Sequence, residues 1–345
     1  MRGFTMLLVV YYHVVLYAFR KTGASWDVNN FFVTFRMPLF FFLSGFLMYK
    51  PDLFKSPGAV SRFLRKKGMV QLFPTLVFSL LFVLIHKSSY SALLLDRFKY
   101  GYWFTYTLFF YFLIYAIGDY AIGRISCGRM KIVTGLVVAT LIYAVAKYSV
   151  TPSCSWGESV FCRFIGIANF QYFIFFFFGA LIRSYYAYID RWLQRDAVVT
   201  GVFIGFVVIQ LLLQLPECRG WMNGQSHIAY SLLQSFSGFW GIAAVFVFFR
   251  KNEHLMQNRV GRFFRYIGVR TLDIYLIHFL LVYTDMHYVG AFLAHHDSLI
   301  AELVLGMGVS LIIIAICLLV SGFLRSSDTL AKLLFGKVIK DDQGI

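Results

Sequence analysis

Residues 35–50 read FRMPLFFFLSGFLMYK, with no charged side chain between Arg36 and Lys50. No water-facing helix tolerates such a run, because its whole circumference is apolar. Taken from residue 31 to 49, it is long enough for roughly 30 Å of hydrocarbon. The same reading applies at 174–182, IFFFFGALI, which has no rationale in a soluble domain. Ten such stretches run along the chain, at about 4–19, 31–49, 70–86, 103–119, 132–149, 170–184, 197–214, 227–249, 271–290 and 299–323.

Composition carries the same message. Hydrophobic residues make up 59% of the 345-residue chain, 40 residues are Phe, and only 14% are charged. Soluble domains sit nearer 45–50% apolar and about 25% charged, and a globule of this size lacks the interior to hide the excess. A soluble enzyme, a disordered chain and a disulfide-stapled secreted module are excluded. The expected fold is all-α, a polytopic membrane domain covering residues 1–345 with no separate soluble domain.

The formal charge is +16, from 32 Lys and Arg against 16 Asp and Glu. In a soluble protein that excess would suggest nucleic acid. Here it sorts by loop. The even loops and the two ends hold 23 cations, the odd loops eight, and Arg36 lies inside a span. Lys and Arg accumulate in cytoplasmic loops, so both termini are expected in the cytoplasm and no basic patch is left for nucleic acid. The first apolar run contains Tyr11, Tyr12 and His13 and ends in Arg20-Lys21. It reads as a retained helix, not a cleaved signal.

Ionisable groups inside spans are costly and default to functional candidates. Arg2 and His13 are eleven residues apart, about 20° beyond three helical turns, so they share a face with about 16 Å of axial separation. In the ninth stretch, 268–282 reads GVRTLDIYLIHFLLV. Thr271, Ile274, Tyr275 and His278 follow helical i, i+3, i+4, i+7 spacing, which puts a second histidine about 10 Å into the membrane. Asp273 points elsewhere. In the second stretch, Pro38 frees a backbone carbonyl and Ser44-Gly45 permits close helix approach.

Several motifs in order carry a resemblance. The R-x10-H first helix, MPLFFFLSGF in the second and IYLIH in a late one are similar to the acyltransferase 3 family of membrane acyltransferases. RFLRKKGMVQLFP (62–74) resembles its Arg-rich stretch before a proline, and GYWFTYTLFF (101–110) its aromatic fourth-helix motif. The resemblance implies about ten spans and transfer of an acyl group, acetyl by default and succinyl as an alternative, from acyl-CoA. The acceptor would be a hydroxyl of a cell-envelope carbohydrate or lipid-linked glycan, and the location a bacterial inner membrane. By position it makes His13 the catalytic base and Arg2 the second catalytic residue, helping to hold the donor or set local charge, with Arg36, Ser44, Gly45, Trp103, Tyr275 and His278 the substrate or donor pocket. Arg62, Arg65, Lys66 and Lys67 are the candidates for CoA phosphates. The implied partners are membrane lipid and the carbohydrate acceptor, with no metal and no nucleic acid; the oligomeric state stays open. One departure stands out. The family pattern carries residues ahead of this arginine, commonly an Asp two or three positions before it, whereas here Met1 precedes Arg2. The expectation is an upstream extension or a truncated N-terminus.

Two other classes share the composition. A transporter or flippase for a glycan precursor has the same spans, but the internal repeat common among transporters is not visible. A non-catalytic membrane subunit gives no reason for two buried histidines. Cys154 and Cys162 read equally well as free thiols or as a bridge, with Cys218 in a further outer loop. The string His295-His296-Asp297 reads as an exposed turn rather than a metal site.

Overall fold

The computed structural model describes residues 1–21, 28–123, 128–151, 154–215, 227–296 and 298–336. Arg124, Cys218 and Asp297 lie outside them, as do the side chains of Arg129 and His227. Among the described residues the regular structure is helix throughout. The helices are α1 (Arg2–His13), α2 (Val28–Met48), α3 (Pro57–Lys67), α4 (Phe73–His86), α5 (Tyr90–Leu95) and α6 (Trp103–Gly123). They continue with α7 (Gly128–Tyr148), α8 (Val160–Ile165), α9 (Phe173–Ser184), α10 (Tyr186–Leu193), α11 (Asp196–Leu212) and α12 (His227–Lys251). The last are α13 (Arg259–Val269), α14 (Thr271–Leu281), α15 (His287–His296), α16 (Leu299–Arg325) and α17 (Asp328–Phe335).

Each of the ten apolar stretches coincides with helix, but the stretches are not equal. Among the described residues, seven helices are long and apolar enough to cross a membrane. The seventh stretch belongs to a pair, α10 and α11, bent by 88°. The first and ninth fall in shorter apolar helices. The protein is therefore a multi-pass membrane protein with at least seven candidate spans.

Two local features differ from the sequence expectation. The second loop, 50–69, contains a helix. The Ser56 hydroxyl accepts the Ala59 N–H at 3.2 Å and Pro57 opens α3, which continues through a π-helical turn, Gly68–Leu72, into α4. A Ser-Pro start needs no long-range support to begin a helix. The ninth stretch breaks after Leu281 and resumes at His287, whose N–H is taken by the Asp285 carboxylate at 3.2 Å. A helix cannot run through that side-chain cap, so one expected span of 271–290 becomes two helices. Pro38, in contrast, lies inside an α2 that runs from Val28 to Met48.

The chain divides into two units. The first comprises Met1–Leu43, Tyr185–Ile274 and Leu281–Ile316; the second comprises Ser44–Ser184, Tyr275–Leu280 and Cys317–Ile345. Each has an apolar core stitched by a few buried polar bonds, which are favourable where no water competes. In the first unit, Gln210 of α11 donates to Thr34 of α2 at 2.8 Å and to Ser237 of α12 at 3.1 Å. In the second, Gln71 donates to the Thr105 carbonyl at 2.9 Å, and Thr75 bonds the Thr105 hydroxyl at 2.8 Å. These bonds tie α4 and the preceding π-turn to α6. Phe54, Phe63, Phe112, Tyr115 and Phe176 pack edge to face beside them.

Candidate functional site

The first unit holds Arg2, His13 and Arg36. α1 is α-helical from Arg2 to His13, so the two keep a common face and about 16 Å of axial separation. Arg2 is exposed and His13 half-buried. The helix then widens into a π-turn, Val14–Ala18, directly after His13. Such bulges recur at functional sites because they re-aim the side chains that follow. Here the turn brings Tyr17 onto His13, with ring centres 5.8 Å apart and planes 22° apart. Tyr17 in turn stacks on Tyr283 at 4.9 Å. On the other side Tyr12 meets the His13 ring edge-on at 5.3 Å. The buried Arg36 guanidinium lies over the Tyr12 ring, 3.2 Å from its centre. His13 thus sits within a file of aromatic rings that ends on a buried cation.

A second polar feature of this unit lay outside the sequence candidates. Glu302 of α16 is fully buried, accepts the Tyr11 hydroxyl at 3.0 Å and pairs with Lys21 at 2.5 Å. The Lys21 side chain is 7% exposed. The pair therefore clamps α1 on both sides of the π-turn. Its one sequence signal was visible: Glu302 is the only acid in the tenth apolar stretch. Lys21 gave none, because it reads as an ordinary loop cation.

The second unit holds the remaining candidates. Tyr275 and His278 are buried, His278 completely. The Tyr275 hydroxyl donates to the Gly101 carbonyl at 2.5 Å and accepts the Phe104 N–H at 3.3 Å. It therefore satisfies an orphan amide at the start of α6, where Trp103 sits. Tyr102 answers with a bond to the Leu276 carbonyl at 3.0 Å. Gly101 has φ +98°, and a Cβ there would lie 2.0 Å from the Phe279 ring, so no other residue fits. The His278 ring is 4.1 Å from that of Phe279 and 5.7 Å from that of Tyr275. Trp103 is half-buried against Tyr172 at 5.8 Å. Ser44 is buried on α2, and Gly45 lets the α9 backbone approach: a Cβ would lie 1.9 Å from the Phe176 carbonyl oxygen.

The basic segment divides by helix face. Arg62, Arg65 and Lys66 are exposed on α3, whereas Lys67 turns inward over the Phe112 ring at 4.2 Å. Arg65 also borders an open groove of about 750 Å³ whose walls include Val60, Leu64 and Phe109. Cys154, Cys162 and Cys317 are free thiols. Among the described residues no group of three or more His, Cys, Asp or Glu is arranged to hold a metal ion.

The histidine and the Arg of the first helix and the cationic helix before the third apolar stretch thus belong to a multi-pass helical membrane protein. Residues 1–322 match the family model described as "Acyltransferase domain", Acyl_transf_3, and the chain belongs to this acyltransferase 3 family of membrane acyltransferases. Neither the curated proteins nor the solved structures contain a match.

Proposed function

We propose that the protein moves an acetyl group from cytoplasmic acetyl-CoA to a hydroxyl of a cell-envelope carbohydrate or lipid-linked glycan in a bacterial inner membrane. His13 is the general base. The observation that carries this is the setting of His13, at the junction of α1 and a π-turn, between Tyr12 and Tyr17 and near the buried Arg36.

An imidazole suits the step because its ordinary pKa lies near neutrality. As the acceptor oxygen attacks the thioester carbonyl, its proton passes to the His13 imidazole. The carbon–oxygen bond forms, the carbon–sulfur bond breaks, and the imidazolium returns the proton to the departing CoA thiolate. Arg2 lies too far along the helix to touch the reacting atoms. Its role is toward the anionic end of the donor, at a separation that an extended pantetheine arm can bridge. Arg62, Arg65, Lys66 and Lys67 are the further donor contacts, each able to make charge-assisted bonds to phosphate. Tyr275 and His278 of α14 and Trp103 of α6 are the further pocket residues that the family resemblance implies. Ser44-Gly45 contributes close packing on α2.

Purified protein in nanodiscs, given radiolabelled acetyl-CoA and cell-envelope glycan, should produce labelled glycan ester. Replacement of His13 by Ala should abolish transfer with membrane expression and thermal unfolding unchanged. Transfer retained by H13A would remove His13 as base, and absence of any thioester turnover by the wild type would remove the reaction.

A further inference from the structure

Four cations of the odd loops, Arg97, Lys99, Lys147 and Arg163, collect around one short segment of the second unit. The Lys99 ammonium donates to the Leu94 carbonyl at 2.6 Å, and Arg163 Nε donates to the Leu95 carbonyl at 3.0 Å. Two cationic heads are thereby fixed on consecutive carbonyls at the end of α5. The Arg97 backbone is held by Asn169, whose side-chain amide donates to its carbonyl at 3.0 Å. Arg97 Nε is buried and has no hydrogen-bond partner among the described residues. Lys147, at the end of α7, lies within electrostatic range of Arg97.

Two carboxylates lie near this cluster in sequence, and one of them, Asp96, partly offsets the Lys99 charge. Asp96 is within range of Lys99, but one of its oxygens takes the Phe98 N–H at 2.7 Å. Glu158 is exposed in the next loop. None of the four cations makes a salt bridge among the described residues. Gathering like charges costs energy unless an anion completes the site. Lys99 is meanwhile 6% exposed, with the Tyr106 and Phe164 rings 5.0 and 5.8 Å from its ammonium.

The same carbonyl-bearing residues form one wall of an apolar groove. Leu94 and Leu95 of α5 face Val160, Phe161 and Phe164 of α8 across about 570 Å³. Val160 and Phe161 are 69% and 68% exposed. α5 and α8 stand in the third and fifth loops, on the side that the charge bias sets opposite the donor.

We propose that this groove and its cationic rim seat the acceptor as a lipid-linked glycan, with the carrier's hydrocarbon chain along α5 and α8 and its phosphate on Arg163, Lys99 and Arg97. The assignment rests on the acyltransferase reading and its orientation. The occupant follows from two demands made at one place. A soluble glycan leaves the apolar groove uncovered, a neutral lipid leaves the cations unanswered, and a free phosphate uses only the rim. A chain-bearing phosphate satisfies both, with guanidinium and ammonium groups making charge-assisted bonds to its oxygens. The positions are preset by Asn169 and the two carbonyls, so little ordering cost falls on binding.

The full-length protein in phosphatidylcholine nanodiscs should be labelled by a photoreactive polyprenyl diphosphate, with adducts mapped by mass spectrometry within residues 90–99 and 160–165. Arg163→Gln, an exposed position, should keep its thermal unfolding temperature yet lose labelling about tenfold, the effect of one charged hydrogen bond. Arg163→Lys should recover most of it. Equal labelling by the corresponding polyprenol, labelling unchanged in R163Q, or complete displacement by phosphatidylglycerol would each overturn the site. Labelling as expected in a protein that transfers no acyl group would leave the site standing and overturn the acyltransferase reading. Transfer without labelling would do the reverse.

Discussion

Arg36 and Tyr12 form a buried cation–π pair, the guanidinium carbon lying 3.2 Å from the ring centre. It fastens α2 to α1 one residue before His13. A desolvated pair of this kind is worth about 2 kcal/mol. Arg36→Gln and Tyr12→Leu should each lower acyl transfer and stability, and the double variant should be little worse than either alone. Tyr12→Phe keeps the ring and should retain transfer. Transfer assays with unfolding curves on all four variants check the coupling.

Glu302 and Lys21 are a buried ion pair with Tyr11 as a third member. Removing one charge strands the other, at a cost of about 3–5 kcal/mol. Glu302→Gln should therefore unfold at markedly lower denaturant. Lys21→Met combined with Glu302→Leu should recover much of the loss, since it buries no lone charge. Denaturant titrations of Glu302→Gln and of the double variant measure this directly.

Tyr275→Phe removes two bonds at the start of α6 and leaves the Gly101 carbonyl and the Phe104 amide buried without their partner. Each orphaned group costs about 1–3 kcal/mol. The local effect should appear as faster hydrogen exchange at Phe104, with residues of the first unit unaffected. Trp103 lies on the same turn, so its fluorescence should also change.

Lys99 sits in a turn outside the candidate spans, and burial lowers its pKa from the usual 10.5 to about 8. Between these values the folded protein has released the proton while the unfolded chain still holds it. The unfolded state then binds more protons, so stability should rise as pH increases from about 8 to 10.5. Lys99→Met should flatten that slope. Thermal unfolding across the pH series tests the sign.

Much of the fold was legible because hydropathy is a local property. The tenth stretch, 299–323, announces a membrane helix from its own residues, and α1 keeps Arg2 and His13 on one face by periodicity alone. Helix ends were less legible: Ser56-Pro57 carries a cap signal, yet 50–69 reads as a loop and holds α3. The break after Leu281 was not legible, because the ninth stretch stays apolar through 279–283 and only Asp285 signals the cap.

The sequence alone determined a helical membrane domain, the order of its motifs and the residue types available for acyl transfer. Tertiary structure decided which of these meet. Tyr11 and Glu302 are 291 residues apart, and nothing local to either predicts their bond. Lys99 and Arg163 read as scattered remainders of the charge bias until the fold of the second unit sets them on the Leu94 and Leu95 carbonyls at the end of α5. Such meetings depend on side-chain packing and on which buried polar groups find a partner. Those terms exist only once distant helices are in contact.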